Sequence, residues 1–336
     1  METQQFLQDA KKSDAENYIK VQVENQQVFF GTSEHMSHIE DNTADFVVTS
    51  PPYWNLKNYG GRENQIGQEG YQEYLGRLNL VWGECFRIAK DNAVLVVNIN
   101  SRRHQKQFYP IPFDIAQTIE GWKLWDTVIW YIPNALPQPN HYRERLFDNK
   151  FEYLLVFVKG DPEKHTFHKP RVPQKYLTAD PRSHKRNENG RCLGNIIRIP
   201  AYRPPNVKES GYHVAAYPEE LVALLLETYT DVGDTVLDPF VGSGTTLKVA
   251  RHMKRNGLGY ELNPDFQSLI QCRIEEDWAV PDWKSLDLLH SSTMETGTLR
   301  PRKVQYQKKP QDTTYRLFEG KSAAGYSELD HNEQEA

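Results

Sequence analysis

Two stretches of the 336-residue chain carry residue types whose spacing could do chemistry. The first is Ala44-Asp45-Phe46-Val47-Val48-Thr49-Ser50-Pro51-Pro52-Tyr53, an apolar run that reads as a buried strand and stops at a polar pair, two prolines and a ring. Proline fixes φ and carries no N–H, so two in succession end ladder pairing and stiffen the backbone. Pro52 also biases Pro51 towards an extended conformation. A rigid loop should therefore leave the strand, presenting the Ser50 hydroxyl, outward carbonyls and the Tyr53 ring at fixed spacing. Such a loop suits a flat molecule with an amino group on its edge.

The second stretch, Val236-Leu237-Asp238-Pro239-Phe240-Val241-Gly242-Ser243-Gly244-Thr245-Thr246, reads as a strand, a glycine turn and a helix start. Glycines let a backbone pass close to a ligand, and a helix N-terminus offers free N–H groups. Leu247 stands where the dinucleotide fingerprint needs its third glycine, which argues against a hydride-transfer enzyme. Gly-Lys-Ser/Thr is missing here, which argues against a triphosphate loop as well. What remains is a loop for a nucleoside without pyrophosphate. Glu261 closes the next strand, 23 positions after Asp238, about where an acid binds ribose hydroxyls. S-adenosylmethionine, an adenosine with an amino-acid tail and a sulfonium, fits those constraints.

Taken in this order, Thr49–Tyr53 and Asp238–Thr246 resemble the two signatures of DNA amino-methyltransferases, which methylate N4 of cytosine or N6 of adenine. Catalytic half first and cofactor half second is similar to the permuted β group of that family. Ile66-Gly67-Gln68-Glu69 with Tyr74 resembles the segment after the catalytic loop. His213 with Tyr217-Pro218-Glu219 resembles the cofactor-contacting stretch, and Gly259-Tyr260-Glu261 the ribose-binding acid. One departure is Thr32 after Gly31, where the family usually has an Asp near the cofactor adenine. The resemblance implies a catalytic set of Ser50, Pro51, Pro52 and Tyr53. The cofactor set it implies is His213, Tyr217, Asp238, Pro239, Phe240, Gly242, Ser243, Gly244, Thr245, Thr246 and Glu261. On that pattern Ser50 and the Pro51 carbonyl accept from the two amino hydrogens and Tyr53 stacks on the base. In the family, Ser-Pro-Pro-Tyr mostly accompanies N4-cytosine and Asp-Pro-Pro-Tyr N6-adenine, so Ser50 favours cytosine, with adenine as the alternative. An RNA or protein amino group is a further alternative, since the loop chemistry suits any flat amino or amide edge.

The elements that must position these residues follow from periodicity. Apolar runs predict strands at 27–31, 46–49, 93–99, 122–131, 151–159, 235–238 and 257–261. Helical spacing predicts helices at 33–39, 71–90, 112–120, 217–229, 245–255 and 264–277. Strands alternating with helices imply a largely parallel sheet covered on both faces. The expected fold class is α/β, a Rossmann-like methyltransferase sheet with permuted motif order and a small target-recognition insertion. Its expected parts are an N-terminal arm (1–24), the catalytic half (25–160), the insertion (161–208), the cofactor half (209–283) and a polar, partly disordered tail (284–336). The insertion carries eleven Lys or Arg against four acids, a balance suited to gripping phosphates. Asn98 and Asn100 are expected in turn roles, and Phe151 in the core or against the base.

Composition sets the limits. A hydrophobic share of 38% supports a substantial core, and the longest apolar run falls short of a membrane span. The polar start of the chain is unlike a signal peptide. Three scattered cysteines, Cys85, Cys192 and Cys272, give neither a disulfide framework nor a metal pattern, and none follows a proline as a C5-cytosine nucleophile would. An intracellular (bacterial, archaeal or phage-encoded), metal-free, cytoplasmic enzyme is expected, as a monomer or dimer. Net charge of −5 places DNA affinity in local basic patches. The expected partners are double-stranded DNA and, functionally, a cognate restriction endonuclease.

Overall fold

The strand that leads into the proline loop and the strand that leads into the glycine turn lie side by side in the computed structural model. It describes residues 20–55, 64–136, 143, 145–172, 191–201, 217–277 and 283–284. In chain order the elements begin with β1 (Lys20–Val23), β2 (Gln26–Phe30), β3 (Ala44–Thr49), α1 (Tyr71–Ile88) and β4 (Ala89–Ile99). A small hairpin of β5 (Arg102–His104) and β6 (Gln107–Tyr109) precedes α2 (Ile111–Thr118), β7 (Lys123–Tyr131) and β8 (Phe151–Val158). Then come β9 (Arg171–Val172), β10 (Arg191–Cys192), β11 (Ile196–Arg198), α3 (Glu219–Tyr229), β12 (Thr235–Asp238), α4 (Thr245–His252), β13 (Asn256–Glu261) and α5 (Gln267–Glu275).

The main sheet has the order β1-β2-β13-β12-β3-β4-β8-β7-β11. Its centre, β2-β13-β12-β3-β4, is parallel throughout, whereas β8 runs antiparallel to both β4 and β7. The sheet is thus more mixed than the alternation of strands and helices suggested. Among the described residues no helix stands between β7 and β8, and antiparallel neighbours can be joined by the chain turning back. From β3 the chain winds through α1 to β4 on one side; from β12 it winds through α4 to β13 on the other. The β3–β12 seam is therefore a topological switch point, where open α/β sheets bind ligands beyond the strands' carboxyl ends.

Both faces of the sheet are covered. Helix α1 buries Tyr74, Leu78, Val81, Trp82, Cys85 and Ile88, spaced three and four apart, against Leu95 and Val97 of β4. Alternate residues Val94 and Val96 face the other way, onto α3, whose Leu221 to Leu226 are all buried. Each such leucine is worth about 1.5–3 kcal/mol of burial. Among the described residues no helix is long and apolar enough to cross a membrane.

Several expectations shift. Residues 20–23, assigned to an arm, form an edge strand antiparallel to β2; residues 1–19 lie outside the described residues. Residues 33–39 form turns instead of a helix, because side chains take the backbone groups that helical bonds would use. Glu84 accepts from the Met36 N–H at 2.6 Å, and Arg87 donates to the Met36 and Ile39 carbonyls. Helix α1 stops at Ile88, since Ala89 already pairs with Ala44 in the sheet. Part of the 161–208 insertion joins the main sheet: Ile196–Arg198 pairs in parallel with Ile129–Tyr131. Most of the rest of that insertion, and the tail beyond 284, lie outside the described residues. Cys85 is buried, but Cys272 is exposed.

Candidate active site

Both motif loops open from the seam, and one hydrogen bond joins their roots. The Thr49 hydroxyl donates to Asp238 Oδ1 at 2.7 Å, where β3 and β12 end. Asp238 is buried and also accepts from the Phe240 N–H at 3.0 Å, the Thr246 hydroxyl at 2.5 Å and the Tyr217 phenol at 3.1 Å. Tyr217 and Thr246 also bond to each other. Burial pushes the Asp238 carboxyl and the Tyr217 phenol up from their ordinary values, and the donors around Asp238 oppose the first of these shifts. Asp238, Tyr217 and Thr246, all expected at the cofactor, thus spend their polar atoms on one another. Their effect is to hold the glycine turn in shape.

The turn uses the two glycines for their backbone freedom. Gly242 has φ +56° and Gly244 φ +91°, a left-handed region that other residues enter at a cost. Ser243, Thr245 and Thr246 are buried beneath it, at the start of α4. Strand β13 approaches closely, because a Cβ on Gly259 would lie 2.2 Å from Val241 and 3.1 Å from the Asp238 carbonyl. That approach delivers Glu261. Its two carboxylate oxygens accept from the backbone N–H groups of Gly242 (2.8 Å) and Asn263 (2.9 Å). Burial first, with Asp238 nearby, raises its pKa to about 7, against the pull of those N–H donors. His213 lies outside the described residues.

The proline loop is clamped at each successive residue. Tyr74 donates its hydroxyl to the Pro52 carbonyl at 2.9 Å, and the Tyr53 hydroxyl donates to Glu152 Oε2 at 2.7 Å. The Trp54 indole N–H donates to the Glu69 carbonyl at 2.8 Å, and Asn55 N–H to the Gly67 carbonyl at 2.7 Å. Glu69 turns its carboxylate back onto the Gly67 and Gln68 N–H groups, shaping the segment that braces the loop. The Trp54 ring sits among Tyr71, His104 and Tyr109. Among the described residues the Pro51 carbonyl accepts no hydrogen bond.

Glu152 has no counterpart in the sequence reading. It stands near the start of β8, which runs antiparallel and so begins at the edge where β3 and β4 end. One oxygen, Oε2, takes both the Tyr53 hydroxyl and the Asn98 amide, the latter at 2.6 Å. The same Asn98 amide lies 3.4 Å from Ser50 Oγ, and its carbonyl oxygen is buried without a partner. Burial drives the Glu152 carboxyl upward, opposed by its two donors. Ser50, Tyr53, Asn98 and Glu152 therefore form one connected set. Asn98, expected in a turn role, is part of it, whereas Asn100 holds the Phe151 carbonyl and the Ser101 N–H as a turn residue would. The signal for Glu152 was a single acid in the otherwise apolar strand Phe151–Val158.

The residues around the turn also test the fit of a cofactor. From Val236 to Leu247 and from Gly257 to Asn263 there is no Lys or Arg, while two carboxylates stand close by. Lys248, the nearest lysine in sequence, is engaged by Glu219 and Glu276. That donor set would repel a pyrophosphate and accepts an uncharged nucleoside with a cationic sulfur.

The chain is 29% identical over 288 residues to the type II methyltransferase M.MjaI of Methanocaldococcus jannaschii, covering 74% of this chain and 91% of that one. It is 30% identical over 261 residues to the type II methyltransferase M.XycI of Xanthomonas campestris pv. cyanopsidis, covering 68% and 80%. Its fold is similar to that of the PvuII DNA methyltransferase (cytosine-N4-specific), with a TM-score of 0.59 at 18% identity over 82% of this chain and 95% of that one. The family model for DNA methylases of the N6/N4 type matches residues 44–271, from the strand before the proline loop to the helix behind Glu261. That match runs through both loops and most of the described chain, and on it this protein belongs to the N6/N4 DNA methylase family.

Proposed function

We propose that this chain methylates N4 of a cytosine flipped out of duplex DNA, at a specific sequence, with S-adenosylmethionine as methyl donor. We further infer that it is the modification enzyme of a restriction–modification system. The observation that carries the reading is the Thr49–Asp238 bond, which fixes the loop suited to an amino group and the loop suited to a nucleoside at one crevice. When bound, S-adenosylmethionine supplies a methyl group on a cationic sulfur. Glu261, which accepts from the Gly242 and Asn263 N–H groups, would hold the ribose hydroxyls with its remaining lone pairs, and the glycine turn would receive the nucleoside.

An exocyclic amino group is a weak nucleophile, because its lone pair is delocalised into the ring. Ser50 Oγ and the unoccupied Pro51 carbonyl accept its two hydrogens and localise that pair on nitrogen. Tyr53 stacks on the ring in an orientation set by its bond to Glu152. With its lone pair localised, the amino nitrogen would face the methyl group that the cofactor would supply, and its surplus proton would pass to solvent water. Positioning of this kind is worth up to roughly 7–11 kcal/mol, against a few kcal/mol for flipping the base. Ser50 in place of an Asp supports cytosine over adenine.

Digestion of methylated DNA to nucleosides, followed by mass spectrometry, tests this directly. N4-methyldeoxycytidine is expected. N6-methyldeoxyadenosine alone would replace the cytosine reading with adenine, and methyl transfer to RNA or protein but not duplex would overturn both.

A further inference from the structure

The β5–β6 hairpin is not accounted for by the crevice it adjoins. It leaves the carboxyl end of β4, and no acid occurs between Ser101 and Phe113, whereas Arg102, Arg103, His104 and Lys106 fall within five positions. Gln105 and Lys106 both have positive φ, +48° and +64°, which makes the tip tight and turns Lys106 outward. Arg103, Lys106 and Phe108 are exposed; the Arg103 guanidinium lies over the Phe108 ring, 5.1 Å from its centre. Among the described residues neither Arg103 nor Lys106 is paired with a carboxylate. Arg102 is partly buried, donates to the Asn55 carbonyl at 2.5 Å and keeps its Nε–H unpartnered. On the same side His104 meets the Asn55 amide at 2.9 Å and the edge of Trp54. The hairpin is thus a cationic element fastened to the end of the proline loop.

We propose that this hairpin is a phosphate clamp, holding the backbone of duplex DNA beside the nucleotide whose base enters the crevice. The inference rests on the proposed function, since it needs a polyanion to lie across the carboxyl edge of β3 and β4. It adds that sequence-independent grip comes from next to the chemistry, and not from the basic 161–208 insertion alone. Through Asn55, a phosphate held at the hairpin is linked to the loop that carries Ser50 and Tyr53.

Counterion release makes this measurable. Each phosphate contact contributes about 0.9 to the slope of log K against log salt. With full-length protein and a methylatable duplex, Arg103→Ala/Lys106→Ala is expected to flatten that slope by about 1.8 and to weaken binding to cognate and unrelated duplexes by the same factor. Lys254→Ala, at the opposite end of the parallel strands, should leave the slope unchanged. S-adenosylmethionine affinity and the melting temperature should match wild type in all variants. A wild type that methylates duplex DNA, with an unaltered slope in the double variant, would overturn the clamp alone. A wild type that neither binds nor methylates duplex would overturn the proposed function and the clamp together.

Discussion

Thr49 and Asp238 are separated by 189 positions in the chain, yet the hydroxyl of one rests on the carboxylate of the other at 2.7 Å. This contact ties the two halves of the crevice together where their strands end. Thr49→Val keeps the shape of the side chain and removes one of four donors from a buried carboxylate. A loss of about 1–3 kcal/mol in denaturant unfolding is expected, together with lower turnover. Thr49→Ser should restore most of both.

Glu152 is bonded to Tyr53 directly and reaches Ser50 through Asn98. Glu152→Ala should lower kcat by roughly a hundredfold, the scale of a misplacement near 1 Å, with cofactor affinity intact in calorimetry. Glu152→Gln keeps an acceptor for the Tyr53 hydroxyl and should recover much of the rate. Equal damage from both substitutions would point to a requirement for charge in place of position.

Gly259 tests the close approach of β13 to the glycine turn. Gly259→Ala would press a methyl group to 2.2 Å from Val241. A cost of about 1–3 kcal/mol in stability is expected from such overpacking, with weakened S-adenosylmethionine binding as Glu261 is carried away from Gly242.

Glu261 gives a pH signature. Its carboxyl is held to about 7 in the folded protein against 4.5 ordinarily. Below pH 4.5 both folded and unfolded chains carry the proton; between 4.5 and 7 only the folded chain keeps it. The folded state binds more protons in that window, so the stability of the cofactor-free protein should fall as pH rises through it and level off above. Glu261→Gln should remove this component, as read from melting temperatures across the window.

The parts that the sequence made legible are those written in local chemistry. Pro51-Pro52 after an apolar run marks a rigid loop wherever it occurs, and Gly242 and Gly244 mark a turn that needs positive φ. The apolar runs of β3, β4, β8 and β12 were visible for the same reason. Glu152 was not visible, because its role depends on β8 running antiparallel, and strand direction is decided by the length of the connection and by neighbours distant in sequence. The turns at 33–39 show a related effect. Their helical spacing was outcompeted by Glu84 and Arg87 from α1, partners some fifty positions away. Asp238 was expected at the cofactor, but the four donors that surround it, one of them 189 positions away, are contained in no local pattern.

The antiparallel strand β8 has a consequence for how such a protein can diversify. The connection from β7 is closed at its base, where the Ile132 N–H meets the Lys150 carbonyl at 2.7 Å and Lys150 Nζ meets the Ala135 carbonyl at 2.7 Å. The pairing of the two strands is thereby closed off from the length of the connection between them. Strand pairing opposite β4 holds Glu152 in register regardless. Changes of sequence between Ile132 and Lys150 are therefore expected to leave the carboxylate behind Tyr53 in place.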